Sequence, residues 1–393
     1  MTQAPRLGAS FSPRRARHAG LDWQAAFKRL LDLDLDPLRL SAYWNEVEGS
    51  GYGDLDWLVA ETAAAGRELV LTVGMKAQGW PEFYIPERLV PRARSGTDVV
   101  ATSAALRTAV LEFVGLTVER YRRQPAIVAW QVENEPLNPS GPRRWWIGPG
   151  FIAEEIAAVR RLDPHHPIAL NAFSRFNVWL DAASSRHGFA PRRLIGSDDR
   201  RPEAEALSLL GANDILGLDV YRRIGYHRLG LRLLTRSRHW RRNTERWVAR
   251  AAAEGKLAWV FEAQAEPWEP PLPPGRPPRS FRPDDVAVTV RGLWDAGCPT
   301  VLLWGVEHWL ARDARGDASW LEAFRQLQLI STEVRGGRRV RLTSARGEWF
   351  CLRFEGGDQP EGARLQGSGR RQQLEGGGVR GALGEDAVAG ECA

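Results

Sequence analysis

Three cysteines in 393 residues (Cys298, Cys351 and Cys392) are too few and too irregularly spaced for a disulfide framework or a structural zinc site. No run approaches the ~20 uninterrupted apolar residues of a membrane helix. The opening MTQAPRLGASFSPRRARHAG lacks the apolar stretch of a secretory signal, so the chain is expected to be soluble and cytoplasmic. Lysine is scarce as well, with only Lys28, Lys76 and Lys256 among 54 basic residues. The formal charge of +6 and the pI near 9.6 therefore rest on arginine, a preference that reads as coding bias as much as adaptation to a polyanion. The densest basic run, Leu231–Arg250, reads as the solvated face of a helix, with a phosphate or polyanion contact as its rival. Nucleic acid is not expected as a partner.

Hydrophobic residues make up 43% of the chain, enough for a substantial core, and 17 tryptophans suit a sugar-stacking cleft as well as a core. Short apolar runs alternate with longer stretches of helical periodicity. The runs are Arg6–Ser12, Pro37–Tyr43, Glu68–Gly74, Ile127–Glu133, Pro167–Ala172, Ile215–Val220, Leu257–Phe261 and Thr300–Trp304. Helical patterns lie between them, among them Asp22 to about Leu33, a segment opening at Asp54 and closed by Gly66, Thr102–Arg122, Arg241–Gly255 and Pro283–Gly297, with a last one at Ala318–Leu329. Eight mostly unalternated strands separated by helices predict a single (β/α)8 barrel, whose strands are covered on both faces. An open doubly wound sheet is the rival, but no strand runs into a glycine-rich phosphate loop. Residues 1–331 are read as the barrel and 332–393 as a Gly/Arg-rich extension with a hairpin at 338–356, the last ~30 residues being disordered for want of periodicity.

Two stretches break abruptly from an apolar run into a carboxylate, IVAWQVENEP at Ile127–Pro136 and LAWVFEAQAEPW at Leu257–Trp268. A charged residue at the end of an inner strand is how a barrel carries a reactive acid. The run WQVENEP together with WVFEAQAEPW resembles clan A of the retaining glycoside hydrolases, whose acid/base and nucleophile close strands four and seven of a (β/α)8 barrel. Three further motifs of the clan occur in order: Arg39 inside strand two, Tyr221 after strand six and Trp304 closing strand eight. Trp130-Gln131 ahead of Asn134-Glu135, and Glu262-Ala263-Gln264, are similar to family 42 β-galactosidases, and family 5 is the other close flavour. The chain departs from family 42 in being too short for its additional domains and in having no cysteine metal cluster, so substrate identity is not inherited.

The resemblance implies hydrolysis of a β-glycoside with retention, with Glu262 as nucleophile and Glu135 as acid, then base. Such a pair stands about 5 Å apart. Arg39 and the Tyr221 hydroxyl would favour the ionised Glu262, Asn134 would bond the sugar 2-hydroxyl, and Trp304 would floor the sugar site. Trp44, Asn45, Lys76 and Trp80 follow strands two and three and are expected to line the cleft. An oligo- or polysaccharide or a small β-glycoside is the expected partner, and neither a cofactor nor a metal is called for. Glu133 rivals Glu135 as the acid, Glu266 rivals Glu262, and Glu46, Glu48 and Glu307 are loop carboxylates after strands two and eight. Trp145 and Trp146 are read as a distant platform or a loop anchor, His165-His166 as surface histidines, and Pro267–Pro283 as a stiff loop. A transglycosidase with the same site, and a barrel that binds glycans or polyanions without turnover, are the competing functions.

Overall fold

The computed structural model describes residues 5–173, 202–228, 231–237, 239–269, 278–335, 340–343, 348–352 and 365–370. Within the compact unit Gln3–Ala323, eight parallel strands close into a barrel. They are β1 (Arg6–Ser10), β2 (Leu38–Ser41), β3 (Leu69–Val73), β4 (Ile127–Val132), β5 (Ile168–Phe173), β6 (Ile215–Val220), β9 (Leu257–Gln264) and β10 (Thr300–Trp304). A hairpin of β7 (Arg223–Arg228) and β8 (Leu231–Arg236) is inserted after β6. Closure comes from β1, which pairs with β10 along Arg6–Ala9 and with β2 at Ala9 and Ser10. The barrel predicted from the eight apolar runs is the fold. Both faces of its strands are covered, as the unbroken burial of β2, β3 and β10 shows. Val70, Ala129, Ala169, Ile215, Trp259, Phe261 and Leu302 pack together as a core.

The helices are α1 (Pro13–His18), α2 (Trp23–Leu31), α3 (Trp44–Ser50), α4 (Gly53–Ala64), α5 (Ala104–Tyr121), α6 (Pro149–Leu162), α7 (Pro202–Leu209), α8 (Trp240–Ala253), α9 (Pro283–Asp295), α10 (Val306–Asp313) and α11 (Ser319–Arg335). Local chemistry starts and stops them. Asp22 and Ser103 accept N–H bonds at the starts of α2 and α5, proline opens α1, α6 and α9, and Gly66, at φ +64°, follows the end of α4.

Four expectations need correcting. The first run stops at Ser10 because Ser12 caps α1, where its hydroxyl accepts the Arg15 N–H. The stretch after β2, read as a loop, winds at Trp44–Ser50 into α3, ahead of the helix expected from Asp54, which is α4. Leu231–Arg250 is not one helix: its first third pairs with Arg223–Arg228 as β8, and only Trp240 onward is helical. The strand expected to end at Phe261 continues to Gln264, so Glu262 lies inside β9.

Phe324–Ala393 falls in a second compact unit. Its sheet is antiparallel, with β11 (Val340–Thr343) against β12 (Glu348–Leu352) and β12 against β13 (Leu365–Arg370). β11 and β12 lie within the stretch read as a hairpin, and β13 lies in the tail read as aperiodic. The rest of that tail is outside the described residues, as are 270–277 of the proline-rich stretch.

Candidate active site

Among the polar side chains on the barrel strands, five bond one another: Arg39 on β2, Gln131 on β4, Asn171 on β5, Asp219 on β6 and Glu262 on β9. The first four are wholly buried and Glu262 is nearly so. Buried polar groups persist only when bonded to one another, and here they form one network. The register of β6 against β9 slips by one residue after Leu218, which sets Asp219 beside Glu262 rather than Phe261. Neighbouring strands are about 4.8 Å apart, so the slip brings two carboxyl groups side by side.

Both oxygens of Glu262 are taken by donors. Arg39 Nη1 donates to Oε1 at 3.0 Å, and the Tyr221 hydroxyl donates to Oε2 at 2.5 Å. Arg39 also donates from Nε to Gln131 Oε1 at 2.7 Å and from Nη2 to Asn134 Oδ1 at 2.5 Å. One guanidinium thus orients three site residues. Burial, then the negative Glu262 beside it, holds the Tyr221 phenol well above its ordinary range, so it stays a donor.

Glu135 sits on the turn after β4, where the backbone is strained: φ is +58° at Glu133 and +44° at Glu135. The turn is clamped from both sides. Asn171 Oδ1 accepts the Glu135 N–H at 2.7 Å, while the Lys76 ammonium donates to the Glu135 carbonyl at 2.5 Å and to that of Asn138 at 3.2 Å. Burial and the charge of Glu262 push the Glu135 carboxyl up to about 8, against the pull of Lys76. One oxygen from each of Glu135, Asp219 and Glu262 lies within 4.8 Å of the others.

The rival carboxylates are all engaged in other work. Glu133 accepts the Met75 N–H at 2.9 Å and the Lys76 N–H at 2.5 Å. Its seat exists only because Gly74, at φ +119°, has no Cβ, which would stand 2.3 Å from the Glu133 carboxyl. Glu266 and Glu307 both pair with Arg15, at 2.6 and 3.3 Å. The Arg15 guanidinium in turn lies 4.6 Å from the Trp304 ring centroid. Glu46 pairs with Arg14 and Glu48 with Arg88.

Above the network opens a cavity of about 420 Å³. Of the residues singled out in the sequence, Glu135, Glu262, Asn134, Tyr221, Trp304, Trp80 and the Arg15-paired Glu266 line it. Trp80 is 70% exposed at its rim. Arg39 and Lys76 stand behind its wall, wholly buried, and reach the cavity only through the groups they hold. Trp44 and Asn45 are elsewhere because α3 replaces the expected loop. Trp44 is buried and stacks on Phe113 of α5 with ring centroids 5.4 Å apart, and Asn45 is exposed with its N–H on the Tyr84 carbonyl. Trp145 anchors its loop through an indole bond to the Arg94 carbonyl, and His166 bonds Asp163. The lining also includes Arg15, Phe173 and Trp268, which the sequence did not mark. Trp268 packs edge-on against Tyr221, 5.4 Å between centroids.

No family model and no curated sequence matches this chain. Solved structures do match it. The fold is structurally similar to glycoside hydrolases of families 5 and 42. A family 5, subfamily 18 enzyme from Streptomyces cattleya, crystallised with N-acetylglucosamine, superposes with a TM-score of 0.53 at 15% identity, over 84% of this chain and 81% of that one. A cold-adapted β-galactosidase from Rahnella sp. R3 gives 0.52 at 14% identity, over 88% of this chain and 58% of its own. An exo-β-1,4-mannosidase from Opitutaceae bacterium strain TAV5 gives 0.53 at 12%, over 84% and 60%. The chain therefore spans well under two thirds of the last two. At these identities the likeness is one of fold.

Proposed function

We propose that this chain hydrolyses β-glycosides with retention of anomeric configuration, Glu262 acting as nucleophile and Glu135 as acid, then base. The observation that carries the reading is the pair itself: oxygens within 4.8 Å, in unlike surroundings. A separation near 5 Å leaves no room for the water that an inverting enzyme places between its carboxylates. The donors on Glu262 favour its charge, whereas burial keeps the proton on Glu135.

In the first step Glu262 Oε attacks the anomeric carbon as the bond to the leaving oxygen breaks, and Glu135 passes its proton to that oxygen. In the second, Glu135, now a carboxylate, takes a proton from water. The water oxygen attacks the same carbon, and the ester electron pair returns to Glu262. The base is available because the ester has removed the charge that held the proton on Glu135. Asn134, fixed by Arg39 and by the Asn171 amide at 2.9 Å, is placed to donate to a sugar hydroxyl as positive charge develops on the ring. Trp304 and the exposed Trp80 offer ring faces to the sugar.

The similar structures are a β-galactosidase, an exo-β-mannosidase and an enzyme seen with N-acetylglucosamine and with Manβ1-4GlcNAc, so β-galactosides, β-mannosides and N-acetylglucosamine-containing disaccharides head the substrate panel. Incubation with 2-fluoro-glycosides should label Glu262, and the first product should keep the substrate anomer. Label elsewhere, or an inverted anomer, would sink the mechanism. Sugar transfer outrunning hydrolysis at high substrate concentration would make the chain a transglycosidase using the same pair. Binding of glycans without turnover would leave a non-catalytic barrel.

A further inference from the structure

Two glutamates suffice for double displacement, yet a third carboxyl, Asp219, is wholly buried beside them. Its Oδ2 accepts from Asn171 Nδ2 at 2.7 Å, and its Oδ1 is buried with no donor directed at it. Asn171 cannot be turned to serve Oδ1. Its carbonyl accepts from Gln131 Nε2 at 2.8 Å and from the Glu135 N–H at 2.7 Å, and its amide also donates to Asn134, so both ends are committed. The charges facing Asp219 are Glu262 across the strand pair, Glu135 from the turn after β4 and Arg39 from β2. The guanidinium of Arg39 is spent on Glu262, Gln131 and Asn134. An ionised Asp219 would therefore add a second or third buried negative charge with one acceptor atom unserved, an arrangement the interior penalises heavily. A cation held by the three carboxyls would relieve the charge, but both Glu262 oxygens are already occupied and the Arg39 guanidinium would repel it.

We propose that Asp219 is a positioning residue that carries a proton on Oδ1 throughout the reaction and donates it as a hydrogen bond to Glu135. Resting on the glycosidase reading, this deepens it. Before the first step Glu135 is itself protonated, and the Asp219 hydroxyl bonds its carbonyl oxygen. As Glu135 passes its own proton to the leaving oxygen, the bond from Asp219 becomes one to a forming carboxylate and strengthens. The Asp219 proton never leaves; the proton lost by Glu135 is regained from water in the second step. The bond thus favours proton delivery and holds the Glu135 carboxylate in line until water arrives. Burial pushes Asp219 well above the usual carboxylate range, the negative Glu262 and Glu135 push it further, and its hydrogen bond with Glu135 acts in the same sense.

The test compares Asp219→Asn with Asp219→Ala. Because Asn171 fixes which oxygen accepts, the asparagine amide will seat its carbonyl on Asn171 and turn its NH2 to Glu135, reproducing a neutral donor. Asp219→Asn should keep kcat/KM within about tenfold of the parent, with the alkaline limb of the pH profile in place. Asp219→Ala should lose about 10–100-fold on poor leaving groups, and less on activated aryl glycosides. Its alkaline limb should move to higher pH, since the ionised Glu135 has lost a donor. An alkaline limb in Asp219→Asn displaced toward acid by about one pH unit or more would show that a negative charge had been removed, and would overturn the proposal. So would equal losses in the two variants, or activity abolished by EDTA and restored by Ca²⁺ or Mg²⁺. Difference infrared spectroscopy at pH 7 separates this from failure of the glycosidase reading, because it needs no turnover. The carboxylic-acid band should be present in the parent and reduced in Asp219→Asn; an unchanged band overturns the proposal even if the parent hydrolyses glycosides, and an inactive parent that shows the change rejects only the reading.

Discussion

Glu135 must hold a proton to serve as an acid, and its carboxyl is pushed up to about 8. The alkaline limb of kcat/KM is therefore expected near that pH, with activity lost as the proton leaves. A pH profile of the parent on a poor leaving group checks the limb, and its cause is checked by following the Glu135 carboxyl directly in Glu262→Gln by ¹³C magnetic resonance, where removing the charge of Glu262 should move its titration to lower pH. Glu135→Ala should lose about 10²–10⁴-fold on poor leaving groups and little on activated ones, with azide restoring turnover as a glycosyl azide. Tyr221→Phe removes one charge-assisted bond to Glu262, at 2.5 Å, and should cost about 10–100-fold in kcat with little change in KM. At this scale the sequence was informative where a polar residue broke an apolar run. Glu135 was marked by its Asn and Pro neighbours and Glu262 by its place at the end of a strand. Asn171 in PIALNA and Asp219 in ILGLDVY sent the same signal, two lone polar residues inside apolar strands, but only the register slip opposite Glu262 reveals what Asp219 faces. Arg15 sent none: its place over Trp304 depends on α1, whose six residues carry no periodic pattern.

Among the elements, β3, β4 and α6 meet at a second buried carboxyl pair. Glu155 on α6 is wholly buried with neither oxygen served by a donor, and the neighbouring Glu133 carboxyl adds to burial in raising it. Burial pushes Glu133 up to about 7 and Glu155 above its ordinary range. A carboxyl raised on folding stabilises the protein fully below its unfolded value of about 4.3, and that contribution is lost as pH rises through the folded value. Glu155→Gln keeps a donor for Glu133 without the charge. It should raise the thermal midpoint by about 2–4 °C at pH 8.5 and leave it unchanged at pH 4, measured by calorimetry. Trp44, read as a cleft residue, belongs to the packing of α3 on α5. Trp44→Ala should cost about 3–5 kcal/mol in denaturant unfolding while leaving KM for a small substrate alone. That element was illegible because WNEVEGS has turn-forming composition and is helical only where Trp44 can reach Phe113, a partner far along the chain.

For the whole molecule, the barrel was legible because a parallel strand covered on both faces must be apolar throughout, and eight such runs occur in order. The β7–β8 hairpin was not, since its arginines read as a solvated helix until pairing with Arg223–Arg228 is seen. If residues 1–331 are the self-sufficient part, a chain ended after Arg335 should keep near-ultraviolet circular dichroism and kcat/KM close to those of the full chain; loss of either would make the extension part of the fold. The scarcity of lysine has a practical side. Lys76 is sealed behind the acid-bearing turn and Lys256 is occupied by Glu254 and the Leu207 carbonyl, whereas Lys28 is exposed on α2. Amine-reactive dyes and resins thus meet one exposed lysine, on the outer ring of helices, ahead of the half-buried, ion-paired Lys256. Covalent attachment to a support would fall preferentially on Lys28, which is not among the residues lining the cleft.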